Sequence, residues 1–140
     1  MRIIIHRGTH QIGGCVTEIR TDNARIFIDM GSELPDADGK IPEETLTVEG
    51  VTQGDMNCDG VFFTHYHGDY IGMLSRILPD TPLYMGQAAK EVHLALQKRI
   101  NPDLAPAIEQ IRPFQAGEKI IISDISIIMV DHSAYDSYIF

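Results

Sequence analysis

Residues 64–72 read THYHGDYIG, and three side chains able to hold a metal, His65, His67 and Asp69, occupy alternate positions in that run. On a helix, residues two apart point to nearly opposite sides; on extended backbone they point to the same side. The apolar run GVFF at 60–63 leads into the first histidine. The expected arrangement is therefore a buried strand whose extended conformation persists into the next loop and gathers the three donors at one point. Imidazole and carboxylate together suit zinc, manganese or iron(II), whereas a structural zinc site more often recruits thiolates. A third imidazole would complete a three-nitrogen site with a position left for water. His132 is the candidate, since only Asp131 separates it from the apolar run ISIIMV. Asp29 closes a further apolar run, ARIFID at 24–29, with Gly31 soon after. Singly, a histidine after a strand or a carboxylate in a turn is ordinary. The alternation of three donors, with two more strand-end groups, is what points to a site.

Several elements must position these groups. RIIIH (2–6), CVTEIR (15–20) and ARIFID (24–29) read as three strands of an antiparallel ladder, with TDN as turn chemistry between the last two. Residues 32–57 are acidic and poor in periodicity, a long surface excursion of solvated charges with a short helix expected near 42–48. GVFFT (60–64) is a buried strand, and YIGMLSRIL (70–78) places Ile71, Leu74, Ile77 and Leu78 at helical spacing. PLYM (82–85) is a short strand. A helix follows from Gln87 and ends in Lys98 and Arg99, where the helix dipole favours cations. NPDLAPAIEQIRPF reads as a broken helix or loop, KIIIS (119–123) and ISIIMVD (125–131) as a hairpin about Asp124, and SYIF as the start of another strand. This order predicts a mixed α/β layer arrangement with helices covering one face of a sheet.

The 140 residues, 44% of them hydrophobic, are enough for a single domain, 1–140, with one core. No apolar window is long enough to span a bilayer, and MRIIIHRG offers too short an apolar run for a signal-peptide core. A cytoplasmic location is expected. Cys15 and Cys58 lack CxxC spacing and read as buried or idle thiols. The net charge of −9 matters more, because a protein that grips a phosphate backbone by itself usually shows a basic face. Apart from Lys98-Arg99, the eleven Lys and Arg are scattered along the sequence. A nucleic-acid substrate would need help from groups outside these residues.

Taken together, IDMG, THYHGDYIG and VDHS resemble the first three motifs of the metallo-β-lactamase superfamily. The runs RGTHQIGGCVTEIRTDNARIFIDMGSELP and VDHSAYDSYIF are most similar to its RNA-processing branch, the RNase J-like and β-CASP exonucleases. The resemblance covers essentially the whole chain and implies an αββα sandwich, an α/β (α+β) fold, of which these residues form the N-terminal half. It implies that His65, His67 and His132 hold one metal, and that Asp69 serves a second metal or orients the attacking water. Asp29 would tie down the ligand loop by hydrogen bonds, with a simple turn carboxylate as the plain alternative. Catalysis would rest on Asp69, His67 and Asp29, with one or two zinc ions, or manganese or iron, as cofactor. Metal-assisted hydrolysis of RNA or a small phosphoester is the reaction implied. Ser133 would lie near a phosphate or simply cap a strand.

Two departures from the family pattern shape the expectation. Tyr70 stands where the motif has its final histidine, and a phenol is a poor zinc ligand; packing at a helix start is the expected role. The family also continues beyond this length, with more strands, a bridging aspartate, a further histidine and, in the RNA-processing branch, a nucleic-acid-gripping domain. Three classes follow. One is a ribonuclease-type phosphodiesterase. Another is a hydrolase of thioesters, lactones or small phosphoesters on the same fold. The third is a non-catalytic metal-binding or interaction module that self-associates through unpaired strand edges.

Overall fold

The computed structural model describes residues 1–131 and 138–139, the last two and Asp131 by backbone alone. At its centre GVFF forms β4 (Gly60–Phe63), every residue of which is buried. A strand covered on both faces needs a continuous apolar run rather than an alternating one. Around β4 the described residues form a six-stranded sheet in the order β1-β2-β3-β4-β5-β6. β1 (Arg2–Arg7), β2 (Val16–Arg20) and β3 (Arg25–Ile28) make the expected antiparallel ladder. β3, β4, β5 (Leu83–Gly86) and β6 (Arg112–Phe114) run parallel. Pro113 is tolerated because β6 is an edge strand.

Parallel neighbours require crossovers of a dozen or more residues. The β5–β6 crossover is helical, through α2 (Gln87–Ile100), a 3₁₀ turn Pro102–Leu104 and α3 (Ala105–Gln110). It lays Ala89, Ile108 and Ile111 on one sheet face, against Phe27, Val61, Phe63 and Met85. The β3–β4 crossover is the acidic stretch, and it forms no helix at 42–48. The reason lies in its side chains: the Leu46 N–H bonds the Glu44 carboxylate at 2.9 Å and the Val48 N–H bonds the Thr52 hydroxyl at 2.9 Å. Backbone donors spent on side chains are unavailable to a helix. Nor is the stretch purely a solvated face, since Leu46, Val48, Val51 and Cys58 pack into the same core as the helices.

The β4–β5 crossover also departs from its helical spacing. It holds only α1 (Gly68–Ile71) and a 3₁₀ turn Leu74–Arg76. The Tyr70 carbonyl, which would accept from Leu74 in a longer helix, instead accepts from the Met30 N–H at 2.9 Å.

The opposite sheet face is covered by a hairpin, β7 (Lys119–Ile122) and β8 (Ile125–Ile128). Its Ile120, Ile122, Ile125 and Ile127 pack on Ile26, Phe62 and Phe114. Thr21 and Asn23 hold the hairpin turn by donating to the Asp124 carboxylate at 2.6 and 3.2 Å. β9 (Val130–Asp131) pairs with β10 (Tyr138–Ile139), the strand expected in SYIF. The layers are thus helices, sheet and hairpin. Cys15 and Cys58 are free thiols, and no described helix is long and apolar enough to cross a membrane.

Candidate metal centre

The carboxyl ends of β3 and β4 lie side by side, the place where open α/β sheets gather ligands. Asp29 leaves β3 with φ +58°, a left-handed conformation that costs a non-glycine residue ~1–2 kcal/mol. The turn sends Met30–Ser32 beneath the loop that follows β4. There the two segments are stitched by backbone bonds, Met30 N–H to Tyr70 O, Ser32 N–H to Gly68 O and Met73 N–H to Met30 O, all 2.9–3.0 Å. Gly31 permits this approach, because any Cβ there would overlap the Asp69 carbonyl.

Asp29 is buried and repays its strain by bracing Thr64. Its Oδ1 accepts the Thr64 N–H at 2.8 Å, and its carboxylate receives the Thr64 hydroxyl at 2.9–3.0 Å. Burial pushes the Asp29 carboxyl up to about 7, against the Thr64 bonds that favour its charged form, with the Asp69 charge adding to the rise. Thr64 Oγ1 also lies 3.0 Å from His65 Nδ1. A hydroxyl has one proton, so when Thr64 gives it to ionised Asp29 its oxygen can only accept, and His65 must carry its proton on Nδ1. Nε2 is then the lone-pair nitrogen of that ring, the state a metal ligand needs.

The expected convergence is present. One donor atom each from His65, His67 and Asp69 lies within 4.8 Å of the others. The alternation works partly as predicted: His67 is extended (φ −70°, ψ 146°), and Tyr66 between the histidines turns inward onto the helix-side core. Asp69, however, is not on extended backbone; it sits in the first turn of α1. The helix start swings it back towards the histidines, and a carboxylate is favoured at that end of a helix. Two imidazoles and a carboxylate, partly exposed and close enough to be drawn onto one ion, fit a divalent cation with coordination positions left over. His132, expected as the third imidazole, and Ser133 lie outside the described residues.

Tyr70 packs its ring on His65, centroids 3.9 Å apart. Burial raises its pKa, and neighbouring Cys15, Asp69 and Asp29 raise it further, so it remains a neutral phenol. That matches the packing role expected for it. Cys15, whose thiol pKa is raised by burial and then by Asp29 and Asp69, was not foreseen near the site; nothing in QIGGC announces it. Thr64 was legible in principle, as a hydroxyl placed between a buried strand and the first histidine. The Arg7–Glu44 pair was not legible. Arg7 grips Glu44 at 2.8 and 2.9 Å and donates to the carbonyls of Gly14 and Gly31, fastening the acidic crossover beside the ligand loop. Burial works against the Glu44 carboxylate, but Arg7, the Leu46 N–H and Arg76 outweigh it and hold its pKa below the usual range.

No protein-family model matches the chain, and no curated protein sequence does. Solved structures do match. A protein of unknown function from Enterococcus faecalis V583 aligns over 97% of this chain and 39% of its own, with 22% identity and a TM-score of 0.72. The subclass B3 metallo-β-lactamase BJP-1 of Bradyrhizobium japonicum aligns over 84% and 45%, with 21% identity and a TM-score of 0.54. A B3 metallo-β-lactamase with an active-site glutamic acid aligns over 90% and 49%, with 19% identity and a TM-score of 0.54. The chain spans less than half the length of each of these structures. Over the length it spans, the chain has the metallo-β-lactamase-like fold.

Proposed function

We propose that these residues carry the metal-binding half of a metal-dependent hydrolase of RNA phosphodiesters, a cytoplasmic enzyme of the RNase J-like kind. The convergence of His65, His67 and Asp69 on a braced loop carries the reading. His65 and His67 would hold the cation, with His132 as a further ligand. Asp69 would complete the site and orient the attacking water, and Asp29, through Thr64, would keep His65 in the ligating tautomer. A divalent zinc, manganese or iron would supply hydroxide at neutral pH by lowering the pKa of water from ~15.7 towards ~7. The flanking runs quoted above favour the RNA-processing branch. The net charge of −9 favours the second reading, hydrolysis of a thioester, lactone or small phosphoester on the same fold.

Elemental analysis, hydrolysis of bis(p-nitrophenyl) phosphate and shortening of end-labelled RNA test the proposal together. The expected result is at least one metal per chain, diester turnover lost in His67→Ala, and RNA shortened from one end with thioesters and lactones untouched. Thioester or lactone turnover without RNA shortening would select the second reading. Less than one metal per chain and no turnover would leave a binding module.

A further inference from the structure

At the end of the sheet away from the metal centre, three arginines stand in one row. The ladder register sets Arg2 directly across from Arg20, and Arg20 directly across from Arg25. Directly opposed residues share a face, with Cβ atoms ~4.5–5.5 Å apart. Arg25 is neutralised: it bonds Glu18 at 2.9 and 3.1 Å and donates to the carbonyls of Glu49 and Asn57. The side chains of Arg2 and Arg20 are exposed and make no ion pair or hydrogen bond with any described residue. Between them opens a groove of about 290 Å³, lined otherwise by Met1, Thr21 and Asp22. Arg20 also lines an adjoining polar hollow of about 400 Å³. Like charges directly opposed destabilise a sheet. Yet in a chain with twenty acidic residues, neither arginine is matched by one. Asp22, at the groove's rim, makes no ion pair with either.

We propose that Arg2 and Arg20 form a binding site for a phosphate-type oxyanion. A guanidinium presents a planar fork of donors that fits two phosphate oxygens at once. Two adjacent forks suit a group of nearly two negative charges, which a phosphate monoester carries at neutral pH. A carboxylate, with one charge and two oxygens, would satisfy one arginine and leave the other opposed. Bringing a dianion between them relieves the repulsion that the register imposes. Asp29 is four steps along the chain from Arg25, so the row lies ~13 Å or more from the metal-ligand end of the sheet. The site is therefore separate from the metal centre and does not depend on it.

The test uses the 140-residue chain with inorganic phosphate as probe, followed by the ¹⁵Nε resonances of its arginines and by thermal unfolding. Phosphate should shift the Arg2 and Arg20 signals and leave Arg112 unmoved, and it should raise the wild-type Tm. Arg20→Gln should weaken phosphate at least about tenfold, as expected when a charge-assisted bond is lost. Arg2→Gln should do the same. Both side chains are exposed and unpartnered, so the variants should unfold no earlier than wild type in the absence of phosphate. His67→Ala should bind phosphate as wild type does. A short oligouridylate without terminal phosphate identifies the source of the anion. If it does not bind, the ligand is a free or terminal phosphate, as the paired charges require. Binding through Arg20 as tight as that of phosphate, with the slope of log K against log salt falling by ~0.7 in Arg20→Gln, would overturn the dianion assignment. Shifts no larger than those caused by sodium chloride of equal ionic strength would overturn it. So would phosphate binding that survives Arg20→Gln but is lost in His67→Ala. Absence of metal or turnover would defeat the hydrolase reading and leave this one standing.

Discussion

Asp29 shows how one residue can join strain, burial and chemistry. Its left-handed backbone and its buried carboxyl are both unfavourable, and the three contacts to Thr64 offset them. What the arrangement secures is the orientation of His65, one residue further on. Gly31 is the second single-residue requirement, since the ligand loop can lie against residues 30–32 only if no Cβ intervenes. Gly31→Ala should therefore cost at least ~1–3 kcal/mol in urea unfolding, because the obstruction is backbone and cannot rotate away. It should also weaken zinc binding measured by calorimetry. Gly68→Ala is the matching control: a Cβ there meets nothing, so stability should hold or rise by up to ~1 kcal/mol. Equal behaviour of the two variants would contradict the close-approach argument. Of these residues the sequence announced Asp29. It could not announce that Gly31 lies under Asp69, because that proximity joins residues 38 apart in the sequence.

At the scale of elements, the acidic crossover is the instructive case. Its composition suggests a solvated loop, and most of its carboxylates are indeed exposed. Glu44 is different, held by Arg7 from β1 and by Arg76 from the β4–β5 crossover. It makes the crossover a strap that ties the sheet edge to the ligand loop. Glu44→Gln keeps the shape but removes the charge from a bidentate pair. The expected loss is about 1 kcal/mol in chemical denaturation, a charged hydrogen bond discounted for partial exposure. The loss should shrink at high salt, since screening weakens a partly exposed pair. A variant as stable as wild type at low salt would show the strap to be incidental. Helix α2 was legible from its run of good helix formers rather than from its apolar face, since it buries Ala89 and His93 while Leu96 and Ile100 stay exposed. The short α1 was not, since tertiary partners took its backbone carbonyls.

At the scale of the molecule, the sheet is covered unevenly. Helices and the strap cover one face, while among the described residues the hairpin covers the other around β2–β6. On β1, an edge strand, Ile3 and Ile5 point to that second face and remain 60% and 52% exposed. Unpaired edges with apolar side chains invite pairing with another chain. Sedimentation velocity should show the 140-residue chain associating with concentration, and Ile5→Lys should suppress this, since a charged residue on an edge strand blocks pairing. A wild-type chain that stays monomeric at every concentration would refute that expectation.

By itself the sequence determined most of the strands, the principal helix and the donor alternation of His65, His67 and Asp69, because periodicity and turn chemistry act over a few residues. β6 lies in a stretch that reads as a broken helix or loop, since three residues with a central proline carry no strand pattern and only pairing with β5 makes them one. The sequence also marked Tyr70 as a misfit for metal. Tertiary structure alone decided the rest: Asp69 on a helical turn, Glu44 in the grip of Arg7, Cys15 beside Tyr70, and three arginines aligned. Arg2, Arg20 and Arg25 look scattered along the chain, and only strand register makes them neighbours. Register depends on how the sheet packs against its covering layers, information that no local window of residues contains.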